Sequence, residues 1–233
     1  MGDPANLDRQ VNSLPPVTKY LLWALVIAFG LQNWAGDASV LLFGLWPWGS
    51  YDLGMGPDGL PVTVGFQPWQ LVTYALLHGS FGHLFFNGLA LYQFGARIES
   101  ALGSRRFAQY FLVCTVGAGL CQLVVVTTMA NSGVGAFPTI GASGGIFGVL
   151  LAYGMMFPHE RVMLLLPPIP MSARTLVIVF GVIELVFGIT GTMQSIAHFA
   201  HLGGMLFGWL LLRYWSGKPP FSKKRPPGPR LVR

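Results

Sequence analysis

Charge is what this sequence most lacks. Only 9% of its 233 residues are Asp, Glu, Lys or Arg, against about 25% in an ordinary soluble domain, which excludes a conventional water-facing surface. Cysteine is nearly absent: two residues exclude a disulfide framework. Cys114 and Cys121, seven apart in an apolar run, read as buried thiols on one helix face. No segment repeats. No cleavable signal peptide is visible, because residues 1–17 are polar and no small-residue cleavage pattern follows the first apolar run. What is abundant is apolar: 53% hydrophobic residues, with 31 Gly and 17 Phe. So apolar a chain would not stay solvated as a disordered segment, and its length allows one domain or one bundle of spans.

A spanning helix needs about 20 mostly apolar residues, because bilayer hydrocarbon cannot satisfy a bare backbone. That ruler predicts six spans, over residues 20–34, 77–95, 107–130, 140–157, 175–190 and 196–212. The fourth and fifth are short, as suits helices that begin or end below the surface. The expected fold class is an all-α polytopic membrane protein, with a short polar segment over 1–17, a six-helix membrane domain over 18–215 and a basic Pro-rich tail over 216–233.

The cations set the orientation. Arg9 and Lys19 precede the first span. Arg97, Arg105 and Arg106 lie between the second and third, and Arg161 and Arg174 between the fourth and fifth. Arg213, Lys218, Lys223, Lys224, Arg225, Arg230 and Arg233 follow the sixth. These four groups contain all 14 Lys and Arg, and they alternate with three connections, 36–76, 131–139 and 191–195, that contain none. The positive-inside rule then makes both termini cytoplasmic. The net charge of +6 is therefore topological and no footprint for nucleic acid, and the tail is expected to lie against anionic lipid headgroups.

The first outer connection is long and aromatic. Its run 41–48 (LLFGLWPW) is too short to span, and Trp46, Trp48 and Trp69 favour the headgroup level. Two readings stay open: a loop partly embedded in the outer interface, or a loop packed on the bundle.

Polar side chains inside spans are costly and mark sites. The second span carries His78, His83 and Asn87. The fourth opens with Gly141-Ala142-Ser143-Gly144-Gly145, and the sixth carries His198 and His201. All three run from outside to inside, so Ser143 and His201 fall about 5–10 Å below the outer entrance at 1.5 Å per residue. A hydroxyl, an imidazole and an amide at one depth suit acyl transfer: a serine needs a base to take its proton, and the oxyanion needs donors. Asn87, His83 and the Ser143 backbone N–H are the candidate donors. The pairs Gly141/Gly145, Gly144/Gly148 and Gly204/Gly208 are GxxxG spacings that let helices approach closely.

Taken together, these motifs resemble the rhomboid family of intramembrane serine proteases over about residues 67–212. His78-Gly-Ser-Phe-Gly-His83-Leu-Phe-Phe-Asn87 is similar to the family's HxxxN helix, Glu99-Ser-Ala-Leu-Gly103 to its ExxxG turn, and Gly141-Ala142-Ser143-Gly144 to its GxSG nucleophile motif. Ala200-His201-Leu-Gly-Gly204-Met-Leu-Phe-Gly208 is similar to AHxxGxxxG. Only His201 has glycines at +3 and +7 as that pattern requires, which assigns it the base and leaves His198 a supporting role.

The resemblance implies a six-helix rhomboid-like bundle and a Ser143–His201 dyad without acid, metal or cofactor. His83, Asn87 and the Ser143 backbone would form the oxyanion hole, and Gly141 and Gly144 would support it. The implied substrates are transmembrane helices that unwind at small or helix-breaking residues and enter sideways past the fifth span and the first loop. The implied location is a bacterial cytoplasmic membrane, with the site facing the extracytoplasmic side. Two positions depart from the pattern: Phe147 stands where the family has Tyr, keeping a stacking face without a hydroxyl, and Trp69-Gln70 stands where it has Trp-Arg. Glu184, the one formally charged residue inside a span, is expected to be protonated or hydrogen-bonded, and because it lies nearer mid-membrane it is read as holding the fifth span in preference to a catalytic role. An escort of membrane clients would keep the fold without needing Ser143 or His201. A transporter would favour repeats and paired broken helices.

Overall fold

The computed structural model describes residues 14–56, 59–163, 168–191 and 197–217. Most of the expected polar segment 1–17, nearly all of the basic tail and most of the 191–195 connection lie outside the described residues. Each of the six apolar segments contains a helix, though not always to its expected bounds. Helix α1 (Pro16–Ala35) is followed by α2 (Asp37–Phe43), then by the antiparallel strands β1 (Tyr51–Met55) and β2 (Pro61–Val64). A short helix α3 (Gln70–Thr73) tightens into a 3-10 turn at Tyr74–Leu76. Helix α4 (Phe81–Ala90) runs through a π turn at Leu91–Gly95 into α5 (Ala96–Leu102), and α6 (Ser104–Met129) follows. Helix α7 (Ser143–Met156) leads to a small hairpin, β3 (Arg161–Met163) and β4 (Pro170–Ser172), and then to α8 (Ala173–Thr190) and α9 (His198–Trp215).

The second apolar segment begins later than its hydropathy suggests. Ser80 is the N-cap of α4, its Oγ accepting from the His83 N–H at 3.1 Å, so His78 precedes the helix in extended chain. It is clamped there by Gln32, which accepts from the His78 N–H and donates to its carbonyl, both at 3.0 Å. Helix α7 is short as expected: 14 residues rise about 21 Å, less than the roughly 30 Å of bilayer hydrocarbon. Two helical stretches, Ser104–Val134 and Ala173–Thr190, are long and apolar enough to cross a membrane by length and composition alone.

Three helices, α6, α7 and α9, make the centre, and glycines let them meet. A Cβ at Gly204 would run into the Gly144 carbonyl, and one at Gly148 would lie 2.9 Å from the Gly204 carbonyl. These are the GxxxG positions, and they bring the α7 and α9 backbones into contact. On the α6 side, Cys121 packs under Gly203 and the Cys114 sulfur under Gly208. Both thiols are free, with Cys114 buried and Cys121 half-buried.

Glu99 fastens α1 to this core. Its two oxygens accept from Val17 N at 2.9 Å, Thr18 N at 2.7 Å, Thr18 Oγ1 at 2.8 Å and Ser104 Oγ at 2.7 Å. Pro15 offers no side-chain cap to α1, so a carboxylate from 81 residues away satisfies its first-turn donors and meets the positive end of its dipole. Burial pushes the Glu99 carboxyl up, but the hydrogen bonds from Ser104, Thr18 and Val17 outweigh this and hold it below the usual carboxylate range. Gly103, at φ +79°, makes the turn into α6.

The first connection is packed on the bundle at one end and exposed at the other. Leu45 and Trp46 are buried, whereas Trp48 and Trp69 are exposed. Leu45 exchanges two 2.9 Å backbone hydrogen bonds with Thr139, tying the loop to the extended chain that leads into Ser143. Gln70, fully buried where the family pattern has arginine, anchors the loop by a different chemistry. Its Oε1 accepts from Trp46 N at 3.2 Å and Gln67 N at 3.1 Å, and Trp69 Nε1 donates to the Leu42 carbonyl at 3.0 Å. An arginine, having no acceptor, would leave both N–H groups unpaired.

Candidate active site

Ser143 is the first residue of α7, and the chain before it is held extended by the Leu45–Thr139 pairing and by Gly141 N donating to the Tyr74 carbonyl at 2.9 Å. Gly141 has φ +126°, and a Cβ there would lie 2.7 Å from His83 Cε1. Only glycine serves at this position, because both the backbone angle and the imidazole forbid a side chain. At a helix start the Ser143 N–H has no intrahelical partner and lies at the positive end of the helix dipole.

Across the Gly144–Gly204 contact, His201 Nε2 lies 2.7 Å from Ser143 Oγ. Phe147, one turn below Ser143, stacks on His201 with ring centroids 4.1 Å apart and planes within 3°. The stacking face that the resemblance assigns to Tyr is thus supplied by Phe. His83 lies beyond Gly141 with its Nδ1 3.4 Å from the Gly79 N–H, which turns Nε2 toward Gly141. His78 and His83 pack edge to face at 4.9 Å. A cavity of about 650 Å³ is lined by Ser143, His201, His83, His198, Ile140 and Phe187, among others. Asn87 is buried one turn from His83 and its Nδ2 has no hydrogen-bond partner, but it does not line this cavity. An unpaired buried amide is costly, and of the candidate oxyanion donors it is the one not already in place.

The largest departure from expectation is Glu184. It is buried at the α8–α9 contact, and its Oε2 lies 2.6 Å from His198 Nδ1 and 2.9 Å from His201 Nδ1. The His198 contact is an aligned hydrogen bond. The His201 contact is within ion-pair distance but off the N–H direction, so His201 Nδ1 completes no hydrogen bond. A carboxylate therefore does reach the Ser–His pair, although none lies at this depth on α4, α7 or α9. It comes from α8, where Glu184 sits six residues before the end at Thr190, or about 9 Å of helix. Counting depth from that end was the signal in the sequence that would have found it.

Glu184, His198 and His201 also present three donor atoms within 4.8 Å of one another. Ligands sharing one tetrahedral zinc at about 2.0–2.1 Å would sit roughly 3.3 Å apart. The observed separations of 2.6 and 2.9 Å are those of groups sharing protons.

A family model described as the Rhomboid domain matches residues 65–218. The chain is 31% identical over 146 residues to Rhomboid protein 1, mitochondrial, of Saccharomyces cerevisiae, covering 61% of this chain and 41% of that protein. It is 32% identical over 141 residues to Rhomboid protease GluP of Bacillus subtilis, covering 60% of this chain and 25% of that protein. The chain thus spans less than half the length of these curated relatives. One relative is mitochondrial and one bacterial, so the likeness carries a membrane setting without choosing the membrane. With the family model matching well over half of its length, the chain belongs to the rhomboid family of membrane-embedded intramembrane serine proteases.

Proposed function

We propose that this protein is an intramembrane serine endopeptidase that cleaves transmembrane segments of other proteins with Ser143 as nucleophile and His201 as base. The observation that carries this reading is the 2.7 Å contact of Ser143 Oγ with His201 Nε2, under a stacked Phe147 and beside a cavity.

As Oγ attacks the scissile carbonyl carbon, its proton passes to Nε2 and the carbonyl becomes an oxyanion. The Ser143 N–H and His83 Nε2 are the donors beside that charge, Asn87 Nδ2 would have to turn toward it, and preorganised donors of this kind are usually the largest catalytic contribution. Collapse expels the amine, which takes the proton back from Nε2 and leaves an acyl-enzyme. Water entering the cavity then repeats the cycle, giving its proton to His201 and releasing the acid. All six apolar helices cross the bilayer in this reading, with both termini on the cytoplasmic side and the dyad near the opposite face. The alternation of the cationic connections supports that topology.

Lateral entry of substrate is supported by α8, which lines the cavity with Phe187 and Gly188 and leaves apolar Ile178, Val182, Ile183, Val186 and Ile189 exposed along its length. A transmembrane helix must unwind to present its carbonyl at Ser143, so substrates carrying Gly, Pro or other small residues near the outer membrane face should be cut first.

The test is cleavage of a single-span reporter with a Gly-Pro element, co-reconstituted in liposomes. Wild type should give two fragments split within the span, and Ser143→Ala and His201→Ala should give none. Cleavage that persists in folded Ser143→Ala overturns the reading. A folded wild type that binds reporter without ever cutting it favours the escort function instead.

A further inference from the structure

For Ser143 Oγ–H to donate to His201 Nε2, that nitrogen must present a lone pair, so the proton of the neutral ring sits on Nδ1. His201 is buried, and a buried N–H without an acceptor is penalised by its full desolvation cost. One face of the ring is covered by Phe147. The Glu184 carboxylate is at the Nδ1 edge, with Oε2 2.9 Å away. That oxygen is in turn held by His198 Nδ1 at 2.6 Å, which fixes the carboxylate between the two rings.

We propose that Glu184 is a positioning residue for the reaction: its carboxylate accepts the His201 Nδ1–H, selects the tautomer that leaves Nε2 free, and stabilises the imidazolium that forms when Ser143 gives up its proton. The proposal rests on the Ser143–His201 reading and adds an acid to it. It needs only a small rotation of the carboxylate, because distance is already satisfied and alignment is not. Catalytic hydrogen bonds are often poorly aligned before substrate binds and tighten afterwards. His198 keeps the carboxylate from swinging away, which gives this second histidine a function in the site. The cycle balances as in a dyad: the serine proton still travels to Nε2 and on to the leaving amine, and Glu184 neither gains nor loses one.

The test compares wild type with Glu184→Gln and Glu184→Leu in liposomes, measuring kcat and KM per folded molecule, thermal unfolding, and the Nδ1–H resonance of His201 in 15N-histidine-labelled protein. The resonance is assigned by its loss in His201→Ala. Removing one hydrogen bond to a charged group should lower kcat about 10- to 100-fold in Glu184→Leu, with KM changed less than about twofold. Glu184→Gln keeps an acceptor oxygen and should fall between the two. In wild type the Nδ1–H should resonate far downfield, and this signal should move upfield in folded Glu184→Gln and vanish in folded Glu184→Leu. A purely structural tie between α8 and α9 would lower the unfolding temperature and leave kcat per folded molecule within about threefold of wild type, which overturns the proposal. So does a His201 signal that is unchanged in Glu184→Gln. Failure of the protease reading looks different, since wild type itself would then cut nothing while the resonance still reports on the hydrogen bond.

Discussion

Gly204→Ala probes how the fold sets the chemistry. The α7 and α9 backbones touch where Gly204 faces the Gly144 carbonyl, and a Cβ on Gly204 would run into that oxygen. The obstacle is backbone at the start of the helix that carries Ser143, so no side chain can rotate away. Restoring van der Waals separation requires α7 and α9 to part by more than about 1 Å. His201 lies one helical turn before Gly204, and Ser143 is next to Gly144, so the displacement falls directly on the 2.7 Å Ser143–His201 contact. A misplacement of about 1 Å commonly costs about 100-fold in rate, while overpacking costs about 1–3 kcal/mol of stability, which a well-packed bundle survives. The expected outcome is a folded protein whose rate of modification by a fluorophosphonate falls at least about 100-fold, measured on the monodisperse fraction by gel fluorescence. A rate within about threefold of wild type would refute the idea that the glycine contact sets the dyad distance. Gly30 is the control: nothing lies within 4 Å of its added Cβ, so Gly30→Ala should react like wild type.

Glu99→Gln should cost about 3 kcal/mol, because a neutral amide cannot accept all four hydrogen bonds and one donor meets another. This should appear as a lower unfolding temperature by intrinsic tryptophan fluorescence. The Glu99 carboxyl is held low in the folded state, so its contribution is full above the unfolded value of about 4.3 and is lost as pH falls through the folded value. The gap between wild type and variant should therefore be flat from about pH 5 to 8 and narrow below about pH 4; a gap that widens in acid contradicts the assignment. Phe147→Ala, which removes the ring stacked on His201, should slow fluorophosphonate modification about tenfold, whereas Phe147→Tyr should stay within a few-fold. Gln70→Ala orphans the Trp46 and Gln67 N–H groups and should cost about 2–3 kcal/mol in unfolding measurements, with reactivity kept in the molecules that remain folded.

The six helical segments were legible because hydropathy and length speak to the backbone's need for internal hydrogen bonds. Ser143 and His201 were legible because glycine spacing around each reports the close helix contact that brings them together. Their 2.7 Å contact is the geometry on which the proposed dyad rests. What stayed hidden was carried by single polar side chains whose partners are remote in sequence. Glu99 serves a helix start 81 residues away, and nothing around Thr18 advertises a need for it. Gln70 stands where the resemblance has arginine, and its anchoring depends on an acceptor oxygen between the Trp46 and Gln67 N–H groups. Glu184 reaches His201 because it sits six residues before the α8 end at Thr190, a depth that the hydropathy of the fifth apolar run does not reveal. The start of α4 at Phe81 was written in the sequence as the Ser80 cap, but the apolar run through Leu77 masked it. The packing of the first loop's Leu45 end depends on its meeting Thr139, a pairing across 94 residues that no local pattern announces.

The most direct single measurement is the intact mass of the detergent-purified protein after exposure to a fluorophosphonate, followed by peptide mapping of the adduct. Wild type should carry one adduct on Ser143, while folded Ser143→Ala and His201→Ala should carry none. An adduct on any other residue, or one that survives in Ser143→Ala, would contradict Ser143 as the nucleophile.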